Sequence, residues 1–201
     1  MKTIDDARQL AEVMVAIGVG AKRNTAALLT RMEAPLGLAV GNANEVRESI
    51  YALRGEGPAD LRELVVALAQ ASILASGHES EPNSVRSMLE AALDNGSALH
   101  SMRQMVEAQG CDPRAIDDPT QLIGLAGSQE HVLLVPADGC IQSIDALDVG
   151  LAAAALGGGR GADGAAPDPG VGVELERTPG DMVRKGDPWA RLRHRGSKGL
   201  R

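Results

Sequence analysis

The sequence predicts a mixed α/β fold in two parts. A mostly helical, partial α/β unit spans residues 1–109, and a smaller α+β unit spans 129–192. Three observations carry this. Apolar residues recur at helical spacing through successive segments of the first half. A turn-rich stretch at 110–128, containing Cys111-Asp112-Pro113, Asp117-Asp118-Pro119 and Gly124 to Ser128, then breaks the pattern and reads as a linker. Beyond it the apolar period shortens to that of strands.

Each element has a local reason. Thr3 to Ile17 carries Ile4, Ala7, Leu10, Ala11, Met14 and Val15 at helical spacing, with Thr3 and Asp6 as a variant capping box and Gly18 and Gly20 as its stop. Asn24 to Thr30 reads as a short buried strand. Helix, strand and then a loop of functional appearance, Pro35 to Gly41, suit an α/β layer. Asn42 is a suitable N-cap for a helix to Leu53, with Glu45 three residues on. A longer helix from about Asp60 to Ser76 has the stripe Leu61, Leu64, Val65, Leu68, Ala71, Ser72 and Ala75. Helices follow at Asn83 to Leu93 and Ser97 to Ala108, parted by Asp94-Asn95-Gly96, where Gly96 is a left-handed C-cap.

In the second unit His131 to Pro136 is a predicted strand, and Asp138-Gly139 turns into a strand from Cys140 to Ile144. An Ala-rich helix from Asp145 to Leu156 ends in Gly157-Gly158-Gly159-Arg160. A Gly/Ala/Pro/Asp loop fills 161–170. Val171 to Leu175 alternates as a strand, Thr178 to Asp181 turns, and Trp189 to Leu192 is the last predicted strand. Residues 193–201 form an off-pattern basic tail.

Composition narrows the function. With no Phe, one Trp and one Tyr, the core is built from aliphatic residues and Met, and stacking platforms for bases are lacking. A net charge of −7, from 27 acidic and 20 basic residues, disfavours nucleic-acid and anionic-membrane binding. Cys111 and Cys140 are isolated, with no metal-ligand spacing, and read as reduced thiols. The start has no apolar signal region and no run reaches a membrane span, so a cytoplasmic location is expected.

The loop from Pro35 to Gly41, feeding a helix start, has two chemical readings. Free N–H groups at the helix end can hold an anion. Alternatively the loop presents carbonyl oxygens to a cation, with Glu48 as the available carboxylate. Gly157 to Arg160 lacks the Gly-Lys-Ser/Thr of a phosphate loop and follows a helix, so it reads as a helix stop. The turns at Asp138-Gly139 and Gly180 to Pro188 resemble those of biotinyl- or lipoyl-type sandwiches, but Lys185 is not at the tip of a tight hairpin in the required context. His78, His100, His131 and His194 form no triad or metal pattern and read as surface or packing residues.

The run Pro35-Leu36-Gly37-Leu38-Ala39-Val40-Gly41-Asn42-Ala43-Asn44-Glu45-Val46-Arg47-Glu48, followed by Gly55-Glu56-Gly57-Pro58-Ala59-Asp60-Leu61, resembles the PLGxAVGNALEVxE and GxGPxDL motifs of the pyrimidine-nucleoside phosphorylases. Ala26 to Met32 is similar to ALLTDM, Asp94-Asn95-Gly96 to a family DNG, and His131 to Leu192 to the C-terminal pattern. Arg31, Asn44 and Trp189 depart from it, standing where Asp, Leu and Leu are usual.

The resemblance implies reversible phosphorolysis of pyrimidine nucleosides, with phosphate as co-substrate and a (deoxy)ribose 1-phosphate as product. It also implies a homodimer and a barrel-sandwich-like sheet, without an attached cofactor, in the C-terminal domain. In the family a potassium ion is held by two loop carbonyls and a helix carboxylate, which fall on Leu36, Ala39 and Glu48. The family's catalytic histidine, phosphate-binding lysine and serines, and base-recognising residues precede the matched region. The resemblance therefore implies only the C-terminal half of such an enzyme, with no catalytic residue in this chain, inactive alone. It would be a fragment, one part of a split enzyme that needs an N-terminal partner, or a non-catalytic remnant.

Overall fold

The computed structural model describes residues 3–122, 126–160, 164, 166–196 and 199. It is a mixed helical and sheet structure. Helix α1 (Ile4–Gly20) is followed by an irregular segment, and then by β1 (Ala39–Gly41), α2 (Ala43–Leu53), α3 (Ala59–Ser76), α4 (Pro82–Asp94) and α5 (Ser97–Ala108). The short α6 (Arg114–Asp117) and a 3-10 turn (Pro119–Gln121) lead to β2 (Gln129–Leu134) and β3 (Gly139–Cys140). Helix α7 (Ala146–Ala153), a π-helical turn (Ala154–Gly158), β4 (Gly172–Leu175), β5 (Met182–Val183) and β6 (Pro188–His194) complete the described chain.

The strands form a four-stranded sheet in the order β1-β4-β6-β2 and a two-stranded ribbon of β3 and β5. Each described pairing is antiparallel. The sheet takes β1 from before the turn-rich stretch and its other strands from after it. The register sets Ala39 opposite Glu174 and Val40 opposite Val173. Period-2 geometry turns Val173 and Leu175 into a core with Ile144, Ala153, Leu156, Val171 and Ala190, and puts Glu174 on the opposite face. A second buried set lies among the helices: Ile50, Val66, Val85, Leu93 and Ile116.

Capping chemistry accounts for several element ends. The Thr3 hydroxyl accepts from Asp6 N, and the Asp145 carboxylate accepts from Leu147 N and Asp148 N. Gly96 adopts φ 81°, the left-handed conformation expected between α4 and α5. Gly157 adopts φ 110° and its carbonyl accepts from Asp168 N, which makes this glycine-rich end a helix stop. Residues 113–117 are tied to the helices. Arg54 donates to the carbonyls of Ile116 and Asp117 at 2.7 and 2.8 Å, and Arg103 pairs with Asp117. His194 is buried in the sheet as a packing residue, with Nδ1 2.7 Å from the Gly196 carbonyl.

Four expectations are corrected. Asn24 to Thr30 is not a strand, and its residues are exposed, Leu28 and Leu29 by 42% and 45%. A strand exists only through a neighbour that takes its backbone groups, and none lies beside it among the described residues. Helix α1 continues through Gly18 to Gly20, because glycine only weakens a helix that nothing else interrupts. The predicted strand Cys140 to Ile144 shrinks to Gly139–Cys140, since β5 offers it a two-residue partner. The last strand also runs past Leu192, taking in Arg193 and His194 from the residues read as a tail.

Candidate functional site

The loop between residues 35 and 41 is clamped from three sides. Gly37 sits at φ 69°, where an L side chain is strained, and a Cβ there would lie 2.5 Å from Glu48 Oε2. Its N–H donates to Asp60 Oδ2 at 3.1 Å, and the next N–H, of Leu38, donates to Glu48 Oε1 at 2.7 Å. On the other side the Leu38 carbonyl accepts from Leu175 N at 2.7 Å. Helices α2 and α3 and strand β4 thus converge on Gly37 and Leu38.

The start of α2 is satisfied internally. Gly41 N donates to Glu45 Oε1 at 2.7 Å, Ala43 N to the Pro169 carbonyl at 3.0 Å, and Glu45 N to Asn44 Oδ1 at 3.1 Å. The expected N-cap Asn42 makes no side-chain cap bond. Its Nδ2 reaches the Gly158 carbonyl at 3.1 Å instead. The helix start thereby spends two of its first-turn donors, those of Ala43 and Glu45, within the protein.

The cation reading keeps its carboxylate. Glu48 is half-buried, and burial raises its pKa from the ordinary 4.5. Backbone N–H groups of Leu38 and Ala39 act against this rise, and the negative Asp60 and Glu45 add to it. Ala39 and Glu48 line one cavity of about 310 Å³ with Leu38, Arg47, Tyr51 and Glu174. Leu36 instead lines a neighbouring cavity of about 390 Å³, with Gly37 and Asp60. Of the three residues expected to hold the ion, Ala39 and Glu48 thus line one cavity and Leu36 the other. Among the described residues no group of three or more His, Cys, Asp or Glu side chains is placed to hold a metal.

The raised pKa of Glu48 has a definite sign. A carboxyl whose folded pKa lies above its unfolded value favours the fold when protonated, and that contribution is lost as pH rises through the folded pKa. We expect Glu48→Gln to remove a stability loss that the parent chain shows as pH rises above about 4.5, the ordinary carboxyl value. Urea midpoints taken across this range for both proteins measure it, and parallel pH profiles would count against it.

Sequence reasoning gave no role to two residues of this site. Asp60 lies within the Gly-Pro-x-Asp-Leu run and anchors Gly37. Asn44, noted only as a departure from the usual Leu, is 1% exposed and donates from Nδ2 to the carbonyls of Val40 and Val173, both at 3.2 Å. Its departure from the Leu usual at that place in the motif was the signal. Both cysteines are exposed and free.

Residues 140–198 match the family model of the Pyrimidine nucleoside phosphorylase C-terminal domain. The chain is 39% identical over 194 residues to the pyrimidine-nucleoside phosphorylase of Bacillus subtilis, covering 96% of this chain and 44% of that protein. It is 41% identical over 196 residues to the thymidine phosphorylase of Rattus norvegicus, and 40% over 200 residues to that of Homo sapiens. These alignments cover 94% and 96% of this chain and 41% of each relative. The chain thus spans less than half the length of the curated relatives it matches, and corresponds to their C-terminal part.

Proposed function

We propose that this relative of the pyrimidine-nucleoside and thymidine phosphorylases supplies the C-terminal part of such an enzyme. The reaction is reversible phosphorolysis. A phosphate oxygen forms a bond to the anomeric carbon, the carbon–nitrogen bond breaks, and the base leaves with the electron pair and takes a proton. The products are the free base and a (deoxy)ribose 1-phosphate. The groups that hold phosphate and base belong to the N-terminal part of the assembled enzyme, so the 201 residues alone are inactive. The observation that carries this reading is identity of 39–41% running through more than nine tenths of the chain.

Exposed apolar surface supports a partner. Ile4, Leu10, Val13, Met14 and Ile17 of α1, and Leu28, Leu29 and Met32 of the following segment, all face solvent. Apolar surface of this extent marks an interface. The N-terminal part of the enzyme covers it, and the assembled enzyme is a homodimer. In this reading the loop holds a potassium ion with the Leu36 and Ala39 carbonyls and the Glu48 carboxylate, oxygen donors suited to a hard cation. The sheet and ribbon form the barrel-sandwich-like domain. No described helix is long and apolar enough to cross a membrane, and we place the enzyme in the cytoplasm.

The test is base release from thymidine or uridine in phosphate buffer. The chain alone is expected to release none above blank. A chimera in which residues 1–201 replace the matching segment of the Bacillus subtilis relative is expected to release base only when phosphate is present. Release by the chain alone, or a folded but inactive chimera, would overturn the reading.

A further inference from the structure

The outer face of the four-stranded sheet carries a chain of shared ion pairs. Glu174 on β4 accepts from Arg47 of α2 at 2.6 Å and from Arg193 of β6 at 2.5 Å. Arg193 also pairs with Glu130 of β2 at 2.6 Å, and Glu130 lies 3.6 Å from Arg191. Arg191 pairs in turn with Glu176. The three central side chains are only 15–20% exposed, so their attraction is screened less than that of ordinary surface pairs.

The register explains why the charges alternate. Glu174 stands opposite Arg191 and beside Arg193, and Glu130 stands opposite Arg193. Period-2 geometry then sets them all on the face away from the aliphatic core. The chain of charges crosses β2, β6 and β4 and ends on Arg47. Arg47 is the neighbour in sequence of Glu48, whose carboxylate fixes the Leu38 N–H. Arg47, Glu48 and Glu174 line the same cavity.

We propose that this ladder is a positioning relay for the loop: by holding Arg47, Glu174 and Arg193 seat α2 on the sheet and so set where the Glu48 carboxylate meets residues 37–39. The inference stands on the ion-pair geometry and does not require that the loop hold an ion. Removing the Glu174 charge leaves Arg47 without its ion-pair partner and Arg193 held by Glu130 alone. That loosens the middle turn of α2, which carries Glu48, while the aliphatic core on the other face of the sheet is untouched.

Hydrogen exchange followed by mass spectrometry on the full chain tests this. In the parent protein, raising salt from about 0.1 M to about 1 M shortens the screening length from ~10 to ~3 Å. Peptides covering 36–53 are then expected to exchange about fivefold faster, the effect of weakening a local structure by a small fraction of its stability. Peptides covering 171–175 and 188–192 are expected to hold their rates. Glu174→Gln should already exchange fast at 36–53 in low salt and show no further salt response. Glu63→Gln, which breaks the remote Glu63–Arg86 pair between α3 and α4, should leave 36–53 unchanged. Arg47→Leu gives a second variant that keeps the Glu174–Arg193 pair, should Glu174→Gln fail to fold, and is expected to show the same local acceleration. Parent-like protection of 36–53 in the variants would overturn the proposal. So would a uniform acceleration across the chain, the mark of a merely structural pair.

Discussion

Asn44→Asp is expected to destabilise the fold by about 3 kcal/mol near neutral pH, the size of effect reached when a buried group loses its partners and gains an unpaired charge. The side chain is 1% exposed and its amide bridges the carbonyls of Val40 and Val173, which face each other in the β1–β4 pairing. Asp has nearly the same shape but no hydrogen to donate. It sets a carboxylate against two carbonyl oxygens in a space closed by Gly172, where even a Cβ on that glycine would lie 2.9 Å from Asn44 Nδ2. Those neighbours disfavour the charged form, so the introduced carboxyl has a folded pKa above its ordinary value of about 3.9. Protonation then favours the fold, and the loss is greatest above the folded pKa and shrinks as pH falls through it. Urea midpoints of parent and variant should differ most at neutral pH and converge in acid. Equal midpoints at neutral pH would show that the bridge is not a fixture of the folded chain.

The second large effect is expected at the helical core. Ile50 on α2 is fully buried, and α2 packs against α4, α5 and the turn at Pro119–Gln121. Ile50→Ala removes methyl and methylene groups from this interior and leaves a cavity, at a cost of about 2–5 kcal/mol. Small domains are stable by about 5–15 kcal/mol in all, so either substitution takes a large share. A falling urea midpoint with an unchanged dependence on denaturant is the expected signature. A loss under about 1 kcal/mol would mean that the helices collapse onto the vacated space.

Much of the fold was legible because its signals are local. The stripe of α3, the Thr3 and Asp145 caps, the left-handed Gly96 and the stop at Gly157 each follow from a few neighbouring residues and their backbone preferences. Asn42 shows where local reasoning ends. Its identity suits a cap, but the carbonyl of Gly158, 116 residues away, offers a partner, and Glu45 takes up the Gly41 N–H instead. Asn24 to Thr30 shows the same limit from the other side. Its composition suits a buried strand, yet strand structure depends on a second strand, and the segment is exposed without one among the described residues.

The candidate site divides along the same line. The run from Pro35 to Glu48 pointed to the loop, to the resemblance and to the carboxylate, because a tight loop, a glycine with positive φ and a helix start are written in adjacent residues. That Ala39 and Glu48 share a cavity while Leu36 lines another, that Asp60 fixes Gly37, and that Arg47 joins a ladder reaching Glu130 were decided by tertiary structure alone. The Gly37–Asp60 contact spans 23 positions, and the ladder ties Arg47 to Glu174 across more than half of the chain. Which partners meet across such distances is set by strand register and helix packing, which depend on the whole chain at once, whereas caps, turns and periodic faces are fixed by forces acting over one or two turns of backbone.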